Sequence, residues 1–414
     1  MSDSVLTSQA SESIPLEDHA RIALDRVRTA LAELLGAMDV NPARPQEVAR
    51  RFNLNKNLTW KISKIIRERD LAASFRHIPG KAGLTILLDS FKKAGAPVKS
   101  LSELNKALHD LDYLIEVHAG DRETFEMMIG SLARATDGQQ QAESQRRLSF
   151  RGNSAVFGVQ ARVQLCVNFI APGDDPQWAD LAWLSGLVDF RRLRSDTTWA
   201  IASARKAADD GTVLPVGAVT SIDPGFQGEN QAPLLGRFCS DPLPAIRVDL
   251  GADGFVRYEL VEGPIGNTAA ATCIVGIFGR RFARRIVAPN DTMGEHVARL
   301  YTPVELLIHD LFVHKELMYA FSPRAFLYSL LPSHPPYPCG GRERGRLPLG
   351  EEVQSLGRGS SAVLTPELPQ YHGMIESVFG RLEWKPQDFH VFRFQMRFPP
   401  IPTLAVLRYD LPKS

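Results

Sequence analysis

The hydrophobic period of the chain changes near residue 150. From 15 to 135, apolar positions recur at three- and four-residue spacing, as in helices that bury one face. In the first helix, about Leu16 to Met38, Ala20, Leu24, Val27, Leu31, Leu34 and Met38 follow steps of four and three. That stripe suits packing inside a bundle, and its spacing also fits a short heptad seam for self-association. Asn41-Pro42 and Pro45 end this helix and start a short one over Gln46–Phe52. After Asn53-Leu54-Asn55, a third helix is predicted over Lys56–Arg69. A fourth follows His77-Ile78-Pro79-Gly80 and carries Leu84, Leu87, Leu88 and Phe91. Ser100-x-x-Glu103 reads as a capping box opening a fifth, with Leu104, Leu108, Leu111 and Ile115. A sixth starts near Asp121 and carries Phe125, Met128 and Leu132.

Past residue 150 the period becomes two. Val159, Ala161, Val163, Leu165, Val167 and Phe169 alternate with Gln160, Arg162, Gln164, Cys166 and Asn168, as in a half-buried strand. Val256–Leu260 and His390–Phe398 alternate in the same way. Less regular strand candidates are Thr198–Ser203, Val213–Ile222, Thr272–Phe278 and Leu404–Tyr409. One helix is predicted among them, after Pro176, where Trp178, Leu181, Ser185 and Val188 share a face. Strands outnumber helices without βαβ alternation, so the fold class is α+β: an all-helical N-terminal domain followed by a larger, β-rich mixed one. The expected division is a disordered tail at 1–14, a helical domain at 15–135, a linker at 136–149 and an α+β ligand or partner domain at 150–414. The linker opens with Thr136-Asp137-Gly138-Gln139-Gln140-Gln141. Pro332–Ser360, dense in Pro and Gly, reads as a long surface loop.

With 414 residues and 44% apolar composition, the chain is long enough for two or three domains with sizeable cores. No run approaches a membrane span, and Met1–Pro15 has no secretory pattern. Four cysteines without a CxxC pair give no disulfide framework. A cytoplasmic protein with reduced thiols is expected.

The formal net charge of +1 hides a local asymmetry. From Arg44 to Lys99 there are thirteen Lys or Arg against four acids, an excess of nine positive charges. From Ser100 to Glu143 there are three against nine, an excess of six negative ones. A concentrated basic face attracts phosphate whatever the total charge. The basic segment contains the pair Gln46–Phe52 and Lys56–Arg69. Val48, Ala49 and Phe52 would pack its first helix, and Leu58, Ile62 and Ile65 the inner face of its second.

Gln46-Glu47-Val48-Ala49-Arg50-Arg51-Phe52 followed by Leu58-Thr59-Trp60-Lys61-Ile62 resembles the helix-turn-helix modules of bacterial transcription regulators. The resemblance covers about 25 of the 414 residues. Asn53 stands at the turn position where Gly is common, and the turn is about one residue longer than usual. The resemblance implies a second helix that enters the major groove of double-stranded DNA. Lys56, Lys61, Lys64 and Arg67 would then neutralise phosphates, and Asn57, Thr59 and Trp60 would approach bases. Homodimerisation is expected, because one module rarely supplies enough affinity. The plainer alternative is a basic bundle face that contacts the acidic segment after it.

Elsewhere the chemistry is sparse. Glu305, His309, Asp310 and His314 would form two i,i+4 pairs on a helix, or alternate between faces on a strand. His334 and Cys339 could pair as nucleophile and base. Gly-x-Ser-x-Gly and the phosphate-binding Gly-x-x-x-x-Gly-Lys-Ser/Thr are absent, and Gly263-Pro264-Ile265-Gly266-Asn267 reads as a turn. Arg191, Arg192 and Arg194, and Arg280, Arg281, Arg284 and Arg285, read as solvated or salt-bridged surface. Trp178, Trp183 and Trp199 read as core residues. No catalytic residue, metal ligand or cofactor is assigned. The expected function is a DNA-binding, transcription-regulator-like protein with a sensing or assembly domain, its small-molecule effector unknown. The alternatives are an enzyme of unassigned reaction and a non-enzymatic structural or interaction protein.

Overall fold

The computed structural model describes residues 15–132, 137–204, 206–207, 213–214, 219–226, 231–250, 256–288, 292–331, 342–363 and 365–413. The predicted tail and the His334/Cys339 pair lie outside them. The chain divides into two compact units, Met1–Gln141 and Ala142–Ser414.

The first unit is helical: α1 (Leu16–Ala37), α2 (Pro45–Phe52), α3 (Lys56–Arg67), α4 (Leu71–His77), α5 (Lys81–Lys93), α6 (Val98–Ala119) and α7 (Arg122–Leu132). The α1 stripe is consumed inside this bundle. Ala20, Leu24, Val27, Leu31 and Leu34 are buried together with Leu104, Leu108, Leu111 and Leu114 of α6, so the stripe offers no free seam for a second chain. Helix α4 has no counterpart in the expected order. Asp70 caps it, its Oδ1 accepting the Ala73 N–H at 2.7 Å. The predicted capping box does not form: Pro97 starts α6 at Val98, which places Ser100 inside the first turn.

The predicted linker at 136–149 contains the boundary between the units, but it is not irregular chain. A helix, α8 (Asp137–Phe157), runs through most of it, and the boundary between the units falls within that helix. Its polar residues are mostly good helix formers, so low hydrophobicity did not mean loop.

The second unit is β-rich. Its strands are β1 (Val159–Pro172), β2 (Trp178–Arg192), β3 (Trp199–Ala204), β4 (Lys206–Ala207), β5 (Val213–Leu214), β6 (Val219–Ser221), β7 (Ile246–Leu250), β8 (Val256–Leu260), β9 (Ala271–Arg284), β10 (Met293–Leu300), β11 (Val304–His314), β12 (Arg324–Ser329), β13 (Gln354–Arg358), β14 (Phe389–Arg397) and β15 (Thr403–Asp410). Helix α9 (Tyr371–Leu382) precedes β14. The main sheet runs β13-β14-β11-β1-β2-β9-β6, with β10-β15-β12, β3-β8-β7 and β4-β5 as smaller sheets. The central pair β1/β11 is parallel, Cys166 opposite His309, and its neighbours are antiparallel.

The segment 178–192 is therefore a strand and not the predicted helix. It pairs with β1 on one side and β9 on the other. Val163, Leu165, Val167 and Phe169 pack with Met374, Ile375, Val378 and Phe379 of α9. On the opposite face Cys166, Ile170, Leu307 and Leu311 pack with Ala298, Leu300, Ala405 and Leu407 of β10 and β15. Central strands covered on both faces lose the simple alternation of a half-buried strand. Each large side chain so buried contributes about 1.5–3 kcal/mol.

Candidate nucleic-acid interface

Helix α3 is held at both ends. Asn53, with φ of 49°, takes the left-handed conformation that closes α2, which Asn tolerates better than most residues. Asn55 caps α3, its Oδ1 accepting the Asn57 N–H at 2.8 Å. At the other end Arg28 of α1 donates to the Ile65 carbonyl at 2.9 Å, to the Glu68 carbonyl and to Ser74 Oγ at 2.6 Å. A cation on the last carbonyls of a helix satisfies acceptors left open there and complements the helix dipole. Val48, Ala49 and Phe52 of α2 are buried, as their spacing predicts.

The inner face of α3 is made by Thr59, Ile62, Ser63 and Ile65, while Leu58 is only half-buried. This corrects the placement of Thr59. Thr59 is 1% exposed and its hydroxyl donates to the Lys56 carbonyl at 3.1 Å, so it packs the helix and cannot reach a base. Ile62 and Ile65 are buried as the spacing predicts, and Thr59 and Ser63 widen that face on one side.

Lys56, Asn57, Trp60 and Arg67 are exposed, and Lys61 and Lys64 are half-buried. Lys56, Trp60, Lys64 and Arg67 recur at steps of four, four and three, so they form one stripe. Lys61 lies beside it. Trp60 is 45% exposed, with Lys64 Nζ 5.6 Å from its ring centre and the His77 ring edge-on at 5.2 Å. Burial, then the neighbouring Lys64, holds His77 below its usual pKa. A depression of about 280 Å³ runs from Ala43 and Pro45 to Trp60, Lys64 and Arg67. Among the described residues no ion pair engages Lys56, Lys61, Lys64 or Arg67, and none joins the 44–99 cations to the acids of 100–143. The two segments do pack, α4 against α7 and α5 against α6, and Lys81 shares a depression with Asp112, Glu116 and Asp121. The plainer reading, a basic face neutralised by the acidic segment, therefore keeps the contact but lacks a closed ion pair among the described residues.

Sequence reasoning missed His77 because α4, only seven residues long, carries too little periodicity to register. Asp70 as an N-cap was its available signal.

The other polar candidates lie in the second unit. Glu305, His309, Asp310 and His314 sit on β11, where alternation puts His309 and Asp310 on opposite faces. Asp310 accepts two hydrogen bonds from Arg393, at 2.9 and 2.7 Å, and one from Tyr371 at 2.5 Å, all three groups buried. Burial opposes the Arg393 cation, yet its hydrogen bonds and charge pairing with Asp310 hold its pKa above the usual value. Burial, then the Asp310 charge, raises the Tyr371 phenol well above its usual pKa. No group of three His, Cys, Asp or Glu among the described residues could hold a metal ion. Arg192 is buried against the Thr197 and Val261 carbonyls, Arg191 donates to Asn267 Oδ1 at 2.6 Å, and Arg284 lies 4.0 Å over the Trp178 ring. Cys166, Cys239 and Cys273 are free thiols. No described helix is long and apolar enough to cross a membrane.

Comparison with protein-family models, curated proteins and solved structures finds no match to this chain.

Proposed function

We propose that the chain is a DNA-binding, transcription-regulator-like protein in which α2 and α3 act as a helix-turn-helix. The observation that carries this reading is the outer stripe of α3: Lys56, Trp60, Lys64 and Arg67, flanked by Asn57 and Lys61, with no ion pair to these cations among the described residues. In the major groove, Asn57 near the helix start offers an amide that can pair with an adenine edge. Trp60 offers a flat apolar face for a sugar or a thymine methyl. The four cations meet phosphates on either side of the groove. Thr59 leaves the base-reading set and supports the helix from within. A homodimer on a two-fold operator would need a surface other than the α1 stripe, and the second unit would supply sensing or assembly in the cytoplasm. Lys61→Glu combined with Lys64→Glu tests the assignment. Neither side chain is buried, so the variant is expected to fold and to lose duplex binding at least tenfold. Full affinity in the folded variant would remove α3 as the recognition helix.

A further inference from the structure

The depression that Lys81 shares with Asp112, Glu116 and Asp121 has a volume of about 520 Å³. It lies between the end of α4, the start of α5, the second half of α6 and the start of α7. Its floor is apolar: Phe75 and Phe125 meet edge-to-face at 5.0 Å, with Leu84 and Ile115 half-buried beside them. Its rim is acidic, with Asp112, Glu116, Asp121 and Glu126 against Lys81 and Arg122. Arg122 is engaged within the unit, donating to Glu126 at 2.8 Å and to the Ile78 and Pro79 carbonyls. Asp112 and Glu116 are exposed, stand one turn apart on α6, and enter no ion pair among the described residues.

The α3 stripe is the counterpart of this surface in sign and in apolar character. Trp60 is 45% exposed, and Lys61, Lys64 and Arg67 surround it. An exposed indole among cations is the kind of anchor that an interface buries in an apolar pocket with an acidic rim. The two surfaces adjoin: the Trp60 ring meets His77 edge-on at 5.2 Å, and the next residue, Ile78, lines the depression. Adjoining surfaces of opposite sign become self-complementary under a two-fold rotation, which makes the same contact twice. We propose that two copies of the chain pair through this face, the Trp60 stripe of each entering the other's depression. Lys61 and Lys64 of one copy then meet the partner's Asp112 and Glu116. The occupant is a second copy because the chain itself supplies both halves of the contact. Where α3 also reads DNA, the pair covers it, so duplex and second copy compete; the pairing itself does not depend on that reading.

The test is sedimentation velocity of the full chain without nucleic acid. At about 50 mM salt, reversible dimerisation is expected with a Kd of about 10 μM or tighter, weakened about tenfold or more at about 500 mM. Two charge-reversed variants separate the halves: Lys61→Glu with Lys64→Glu, and Asp112→Lys with Glu116→Lys. Each alone, shown folded by circular dichroism, should dimerise about tenfold or more weakly. Mixed in equal amounts they should pair again, to within about threefold of the unaltered chain, because each α3 then faces a depression of opposite sign. A chain that stays monomeric at about 100 μM in low salt overturns the proposal. So does dimerisation that either folded variant retains in full, or a mixture that stays monomeric. Trp60→Ala serves if a reversed variant does not fold; undiminished dimerisation there also overturns the proposal. Asp112→Lys with Glu116→Lys leaves α3 unaltered, so its duplex binding reads the DNA assignment separately.

Discussion

Replacing Lys61 and Lys64 by alanine isolates the electrostatic part of the proposed interface. Lys56, Lys61, Lys64 and Arg67 stand on or beside one face of α3, and no ion pair among the described residues engages them. Four phosphate contacts predict a slope of about −3.6 in log affinity against log salt, at roughly −0.9 per contact. Raising salt from about 50 to about 200 mM then weakens binding about 150-fold. With two contacts removed the slope falls to about −1.8 and the same change costs about 12-fold. A dimer would double both slopes and leave their ratio near two. Fluorescence anisotropy of a labelled duplex across a salt series reads both numbers. An unchanged slope in the folded double variant would refute the argument, because the lysines would then not displace counterions.

Two further outcomes follow from the second unit. Asp310→Asn leaves Arg393 buried without its counter-charge and is expected to cost about 3–5 kcal/mol, read by urea unfolding; a loss below about 1 kcal/mol would show that the buried Arg393 charge does not depend on Asp310. His296 and His309 are fully buried, and burial holds them near about 4 and about 3. The unfolded chain takes up these protons near pH 6.5 and the folded chain does not, so stability is fully present above pH 6.5 and falls as pH drops towards 4. The slope approaches about 3 kcal/mol per pH unit with both residues, and His296→Gln should lower it by about half; a flat stability profile between about pH 6.5 and 5 would contradict their burial as neutral rings.

The bundle was legible because each long helix exposes one face to solvent. The α1 stripe, the burial of Val48, Ala49 and Phe52, and the Asn53 turn all follow from local spacing and backbone preference. The burial of Thr59 and Ser63 on α3 did not, because small polar residues carry no hydrophobic signal. In the second unit β1 showed its alternation, but 178–192 did not. Trp178, Leu181, Ser185 and Val188 fall at helical spacing by coincidence in a strand covered on both faces. The Asp310–Arg393–Tyr371 cluster joins residues up to 83 positions apart, and the hydrogen bond from Gln164 to the Arg299 carbonyl joins β1 to β10 across 135. No local pattern encodes either juxtaposition. The sequence marked His309 and Asp310 as neighbours, and strand geometry then separated them.

The most direct test of the central claim is binding of the full-length chain to mixed duplex DNA fragments across a salt series. Binding that weakens steeply with salt, by about two orders of magnitude between about 50 and about 200 mM, is the result the basic α3 stripe predicts. No binding by the folded protein at the lowest salt would contradict it.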